Sequence, residues 1–446
     1  KMLNRLDALA AYGPLKEATA LRQRIPMPTR VVIGLASLAA TAGLVSWASP
    51  TPTEPPTPDP PAHGQPHDPL RARLKPVDVL LKAEHFGDAR VALDAIPTQV
   101  WLDGDPAAQA DERAMRADLA LANNNGEKAR SLLDSAVWLA VDGERYETVA
   151  LHATLLATYI SRDVSDKEAA QRLMDLAWSA ILREGEPPHL VARYWTAVAE
   201  IERFSGRPKL ELRAAKRAVQ VLESTPQGPS TSELIVLGAA HLANGRPKLA
   251  KGVLERARRL GKDEPGVEVQ VAPLLATIAW DLGEPDKAVE QGRRAVATST
   301  QVRGASHPLT VEARAHLGLL LIEFEPSEAV TELEAVLKTY GAQRGLIASV
   351  ARANLGMALA TAGRQAEGEA LLLQALADLD AAGTVPATDI AFVWGMLGDT
   401  RASDGQLELA ANAYHQALTR LPTGADTTSL REDLEARRDA LNAAAP

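Results

Sequence analysis

Residues 391–424 read AFVWGMLGDTRASDGQLELAANAYHQALTRLPTG. Eight positions decide how this stretch folds: Trp394, Leu397, Gly398, Gly405, Ala410, Tyr414, Ala417 and Pro422. The pattern predicts two antiparallel helices joined at Gly405, where a tight turn favours a residue without Cβ. Ala410 and Ala417 stand seven residues apart, so they share one face of the second helix. Gly398 falls where the first helix crosses that face, and a side chain there would push the backbones apart. Trp394 and Tyr414 fill the space beside the small residues.

The pattern recurs through the chain. Small residues stand at Ala89, Ala129, Ala170, Ala250, Ala288, Ala329, Gly368 and Ala410, at intervals of 38 to 42 residues once Glu211 is counted in the slot after Ala170. Leu355-Gly356 with Gly363, Gly368 and Ala375 repeats the spacing of the last unit, as does Leu237-Gly238 with Gly245, Ala250 and Ala257. A fixed period of this size marks a helical solenoid, because one hairpin cannot bury its apolar face alone and must stack on neighbours.

These positions resemble the tetratricopeptide repeat (TPR) family, with the closest match in the last unit. The resemblance covers residues 70–443 and implies an all-α TPR superhelical solenoid of about nine helical hairpins, at roughly 70–99, 110–139, 150–183, 192–225, 231–264, 269–302, 311–343, 349–382 and 391–424. A final helix over 427–443 reads as the cap that ends the array. Ser306-His307-Pro308-Leu309-Thr310 resembles the lead-in of kinesin-light-chain-like TPRs, whose repeats are also long. Pro308 is expected to stop one helix and Thr310 to cap the next.

Composition agrees with an all-helical protein. The chain has 446 residues, 46% of them hydrophobic but only 4% aromatic, and carries a net charge of −9. It is rich in the helix formers Ala, Leu, Glu and Arg. An acidic body disfavours nucleic acid as a partner. With no cysteine, disulfides, zinc knuckles and thiol nucleophiles are excluded.

Residues 1–30 hold six basic and two acidic side chains, and Val31–Ser49 is a run of 19 residues without charge. The expectation is one transmembrane helix over 31–49, with a short basic cytoplasmic segment at 1–30. The lipid bilayer is then a partner, and the array lies on the extracytoplasmic, periplasmic side. Ser46 and Ala48 allow a cleaved signal peptide, but the apolar run and the segment before it are long for one. Ala39 and Gly43 are spaced for helix pairing, which leaves a homodimer open. Residues 50–69 contain nine prolines among twenty residues and read as a polyproline stalk of roughly 60 Å. The chain begins with Lys1 and is expected to be a piece of something longer. Its layout resembles that of bacterial receptor-type serine/threonine kinases and membrane-bound anti-sigma factors with exported repeat domains. The function expected is a membrane-anchored scaffold for protein–protein interaction. The alternatives are the sensor tail of such a signalling protein and a periplasmic chaperone or assembly factor.

No P-loop, dinucleotide fingerprint, HExxH, nucleophile elbow or kinase signature occurs, so no catalytic residue, metal ligand or cofactor is assigned. The nine histidines are scattered; His63 and His67 have helical metal spacing but lie among prolines, and His241 falls in a core slot. The family binds peptides along a concave groove lined by first helices. Projected on this sequence, that groove takes Glu200, Arg203 and Phe204, then Ile235 and Leu242, Thr277 and Trp280, Met357, and finally Phe392 and Asp399. The Lys/Asn carboxylate clamp of co-chaperone TPRs is missing from these positions. Trp280, Phe204 and Met357 point to an apolar or extended peptide. Arg207-Pro208-Lys209-Leu210 recurs as Arg246-Pro247-Lys248-Leu249 within two basic second helices, which read as a solvated face or as a dock for an acidic partner or anionic headgroups.

Overall fold

The computed structural model describes residues 68–444 apart from 83–84, 124, 162–165, 341–345, 383–384, 386 and 423–426. Among the described residues there are twenty α-helices and no strand. Sixteen of them pair as eight hairpins: α1 (Pro69–Lys82) with α2 (Phe86–Asp94), then, after the short α3 (Thr98–Leu102), α4 (Pro106–Ala122) with α5 (Gly126–Asp142) and α6 (Tyr146–Ile160) with α7 (Lys167–Arg183). Next come α8 (Pro188–Phe204) with α9 (Pro208–Glu223) and α10 (Thr231–Ala243) with α11 (Pro247–Leu260), after which α12 (Pro265–Asp281) and α13 (Pro285–Arg303) follow in the chain. The last three are α14 (Pro308–Leu321) with α15 (Pro326–Tyr340), α16 (Leu346–Thr361) with α17 (Gln365–Ala382), and α18 (Ala387–Ser403) with α19 (Leu407–Arg420), followed by a single helix α20 (Thr428–Ala444). Several first helices begin four residues before the repeat boundary read from the sequence: 106 for 110, 146 for 150, 188 for 192, 265 for 269 and 387 for 391. An added turn of about 3.6 residues there accounts for much of the excess over the short repeat.

Local signals explain where the helices start. Proline opens α8, α9, α11 and α14, where its missing N–H costs nothing and its fixed φ suits the first turn. Asp105 caps α4 by accepting from Ala108 N at 2.8 Å, and Ser230 with Glu233 forms a capping box on α10. At the last hairpin turn Gly405 has φ +76°, and the N–H of Gln406 returns to the carbonyl of Arg401 at 2.9 Å. Thr310 departs from expectation. It lies inside the first turn of α14 rather than at its cap, fully buried, with its hydroxyl 2.8 Å from that of Ser299 on α13.

The described residues fall into two compact units. One runs to Ile278 and includes Thr300–His307; the other comprises Ala279–Ser299 and the chain from Pro308 onward. In each, the core is built from the small slots and the leucines beside them. In the first unit Ala129, Leu133 and Val137 of α5 lie against Ala117 and Leu121 of α4 and Ala153 and Ala157 of α6. In the second, Tyr414, Ala417 and Leu418 of α19 bury Leu430 and Leu434 of α20.

The transmembrane helix expected over 31–49 is corrected. No helix among the described residues is long and apolar enough to cross a membrane, and residues 1–67 lie outside the described residues. The bilayer as partner, the single-pass topology, the extracytoplasmic placement and the membrane-anchored form of the scaffold are corrected with it.

In the hairpin of α16 and α17 both slots are glycine and the backbones cross closely. A Cβ on Gly356 would sit 2.8 Å from the carbonyl oxygen of Gly368 and 2.9 Å from Leu372 Cγ. Gly363, in the adjoining turn, has φ +86° but open space around it. Gly356→Ala is expected to cost about 2–3 kcal/mol through overpacking and Gly363→Ala about 1 kcal/mol through backbone strain alone. Denaturant titration of the two variants separates these costs.

Candidate functional site

The first helices present the residues projected from the sequence, and each site residue has a definite place. On α8, Glu200 is buried, whereas Arg203 and Phe204 are half-buried. Ile235 of α10 is buried and Leu242 half-buried. Thr277 of α12 is buried and returns its hydroxyl to Pro273 O at 3.2 Å. Met357 of α16 and Phe392 of α18 are half-buried in one apolar cluster with Trp394. Asp399 accepts from Arg437 of α20 at 2.7 and 2.8 Å and from the Tyr414 hydroxyl at 2.8 Å, so it fastens the terminal helix to the last hairpin. Desolvation weakens the charged form of the buried Arg437 guanidinium, but Asp399 and Asp433 outweigh it and hold its pKa above the ordinary value.

Arg203 serves a similar structural purpose. Its Nε donates to Glu211 Oε1 at 2.8 Å, and Glu211 occupies the slot that is Ala or Gly in the other hairpins, almost fully buried. The fourth hairpin thus replaces a small-residue contact with a buried ion pair. Glu211→Ala removes the carboxylate that accepts from Arg203 Nε and is expected to destabilise by about 3 kcal/mol, whereas Arg203→Leu with Glu211→Ala is expected to be close to neutral. A double-mutant cycle by denaturation checks this.

In the first unit the first-helix face is acidic around the cation Arg193. Burial lowers the pKa of Arg193 to about 10, against the pull of Glu233, Glu200 and Asp118. Burial likewise pushes Asp118 up to about 7, opposed by Arg193 and assisted by Asp78. His152 Nε2 of α6 lies 3.3 Å from Asp111 Oδ1 of α4. Asp111, Asp118 and His152 were absent from the sequence-based site because the early repeats match the pattern least. Register would have found Asp118, which precedes Ala129 by eleven residues, as Glu200 precedes Glu211 and Asp399 precedes Ala410.

The second unit carries Trp280, half-buried at the end of α12. Its ring meets Phe324, in the turn after α14, edge-to-face at 5.9 Å between centroids. Phe324 is 41% exposed and had no helical register to reveal it. Asp281 follows Trp280; burial pushes its carboxyl up to about 6, and its Oδ1 is buried without a hydrogen-bond partner. Burial also pushes Glu312 of α14 up to about 8 and Asp389 of α18 to about 6, the latter against a Thr388 hydrogen bond. Among the described residues no group of three or more His, Asp or Glu side chains is placed to hold a metal ion.

The profile of the tetratricopeptide repeat family matches residues 349–374. This stretch is a tetratricopeptide repeat. It takes in most of α16 and the first half of α17, including the Gly356–Gly368 crossing. Among solved structures, BtubC (BKLC) from P. vanneervenii is 18% identical over 49% of this chain and 91% of its own, with a TM-score of 0.41. The APC/C hetero-tetramer Cut9–Hcn1 is 14% identical over 81% of this chain and 83% of its own, also with a TM-score of 0.41. A thermophilic TPR protein from Thermus thermophilus is 22% identical over 48% of this chain and 100% of its own, with a TM-score of 0.34. No curated protein matches the sequence.

Glu312 gives a pH test of this face. A carboxyl raised from the usual range to about 8 favours the folded state at acid pH. That contribution is lost as pH rises through the unfolded value toward 8. Glu312→Gln is therefore expected to leave stability unchanged near pH 4 and to raise it by about 2 kcal/mol near pH 8, read from denaturation midpoints at the two pH values.

Proposed function

We propose that the chain is a TPR scaffold that holds a segment of another protein along its first-helix faces. One observation supports this above the rest: the Trp280–Phe324 pair, with Phe324 41% exposed, beside an Asp281 oxygen that lacks a hydrogen-bond donor. A half-covered aromatic pair offers a rigid apolar anchor, and a desolvated acceptor without a donor favours a partner that brings one. The bound segment is then extended or helical, with an apolar side chain against the rings and an N–H or cationic group toward Asp281. Glu200, Arg203, Ile235, Thr277 and Asp399 contribute by setting the helices rather than by touching the ligand. Phe204, Leu242, Met357 and Phe392 remain proposed contacts of the same kind as Trp280.

The repeat length and the Ser306–Thr310 lead-in support a kinesin-light-chain-like subfamily. The layout shared with receptor kinases and anti-sigma factors leaned on the membrane helix and is not carried further.

The test is capture of partners by the full chain, identification of one by mass spectrometry, and titration of that partner against variants. Trp280→Ala and Phe324→Ser are expected to weaken binding at least tenfold, while Leu409→Ala on α19 leaves it unchanged. Equal binding by all three variants would remove the first-helix face as the binding site.

A further inference from the structure

The opposite side of the first unit carries a second feature that the peptide-holding face does not use. Helices α9 and α11 each open on the same four residues, Arg207–Leu210 and Arg246–Leu249, 39 residues apart. That interval is the repeat length, so the two helices present corresponding positions. Arg256 of α11 reaches Glu223 of α9 at 3.6 Å, which places the helices side by side. In its 14 residues α11 has five cations, Lys248, Lys251, Arg256, Arg258 and Arg259, against the single acid Glu255. Arg258 is engaged by Glu268 at 2.8 Å, but Lys248, Arg256 and Arg259 are exposed, as are Lys209, Arg213 and Lys216 of α9. This is a cationic face on a chain whose net charge is −9.

Charge alone describes a solvated helix; two further observations do not fit one. Leu249 and Leu260 are 54% and 56% exposed. They stand eleven residues apart, almost three helical turns, so they lie on one stripe with Arg256 between them. On the same side lies Gly252, exposed in mid-helix. A Cβ there would meet nothing within 4 Å, so no contact within the chain requires the glycine. It nevertheless costs the helix about 1 kcal/mol relative to alanine. A glycine flanked by leucine and arginine on an outward stripe suits the close approach of another backbone.

We infer that the outward stripe of α11, Leu249–Gly252–Arg256–Leu260, with the cations of α9 beside it, docks an acidic, leucine-bearing helical segment of a partner protein. The partner's carboxylates pair with Arg256, Arg259 and Lys248, its leucines cover Leu249 and Leu260, and its backbone approaches at Gly252. Interleaved leucines set this stripe apart from a nucleic-acid backbone site, which is built on contacts to phosphate and sugar.

The experiment titrates full-length chain with a labelled synthetic amphipathic peptide that has leucine on one face and glutamate on the other. Duplex DNA and phosphatidylserine vesicles serve as competing anions. The peptide is expected to bind and to weaken as salt rises. Arg256→Glu with Arg259→Glu is expected to reduce affinity at least tenfold. Gly252→Leu should do the same with helicity retained, because the added side chain fills the approach. A peptide with serine in place of leucine should also lose at least tenfold. Binding of the serine peptide at parent affinity, an unaffected Gly252→Leu variant, or tighter binding of DNA or vesicles than of the peptide would each overturn the proposal.

Discussion

Everything in this fold depends on how closely two antiparallel helices approach within a hairpin. The distance is set by one residue on each helix, and in most hairpins both are small. Ala89, Ala129, Ala250, Ala288, Ala329 and Ala410 are completely buried, and at Gly398 a Cβ would lie 2.5 Å from the Tyr414 ring. Such spacing leaves no room for adjustment, since interiors are packed to crystal density. It also fixes which side chains are turned inward along the first helices, and so which remain for a partner. Where the slot holds Glu211, the fold keeps the spacing by bringing Arg203 in to neutralise it.

That exchange bears on function. Arg203 and Asp399 occupy register positions that line peptide grooves, yet both are used inside the protein, one at the odd slot and one at the terminal helix. Buried ion pairs of this kind contribute little net stability, but either partner alone is costly. The first helices also carry Arg193 among the carboxylates of Asp118, Glu200 and Glu233 in one unit, and the Trp280–Phe324 pair in the other. These are two different chemistries on one repeated frame, and the cationic second-helix stripe of α11 is a third.

Much of the hairpin pattern was legible in the sequence because the small slots recur with little drift and each hairpin carries its own turn signal, such as the positive-φ Gly405. The helix starts were less legible. The extra turn at the start of several first helices adds residues without altering the spacing between slots, so a short template could not place it. Residues 31–49, on which the membrane reading rested, lie outside the described residues, and no helix among the described residues is long and apolar enough to cross a membrane. For the proposed site, residues such as Glu200 and Trp280 stand in register and could be projected from the template. Asp118 and His152 were overlooked in weakly matching repeats, and Phe324 sits in a turn that carries no periodic signal. Whether a registered side chain faces a ligand or an ion-pair partner depends on residues distant in sequence, as Arg437 does for Asp399, and no local pattern reports that.

The small slot acts as a steric constraint, and α17 offers a direct comparison. Ala375 is fully buried in its slot, whereas Ala370 on the same helix is exposed. Helix propensity is identical for the same substitution at the two sites, so packing alone distinguishes them. The unfolding free energies of Ala375→Leu and Ala370→Leu are the measurement. A loss of about 2 kcal/mol or more at Ala375 with a change under about 0.5 kcal/mol at Ala370 is the predicted result; equal changes at the two positions would contradict it.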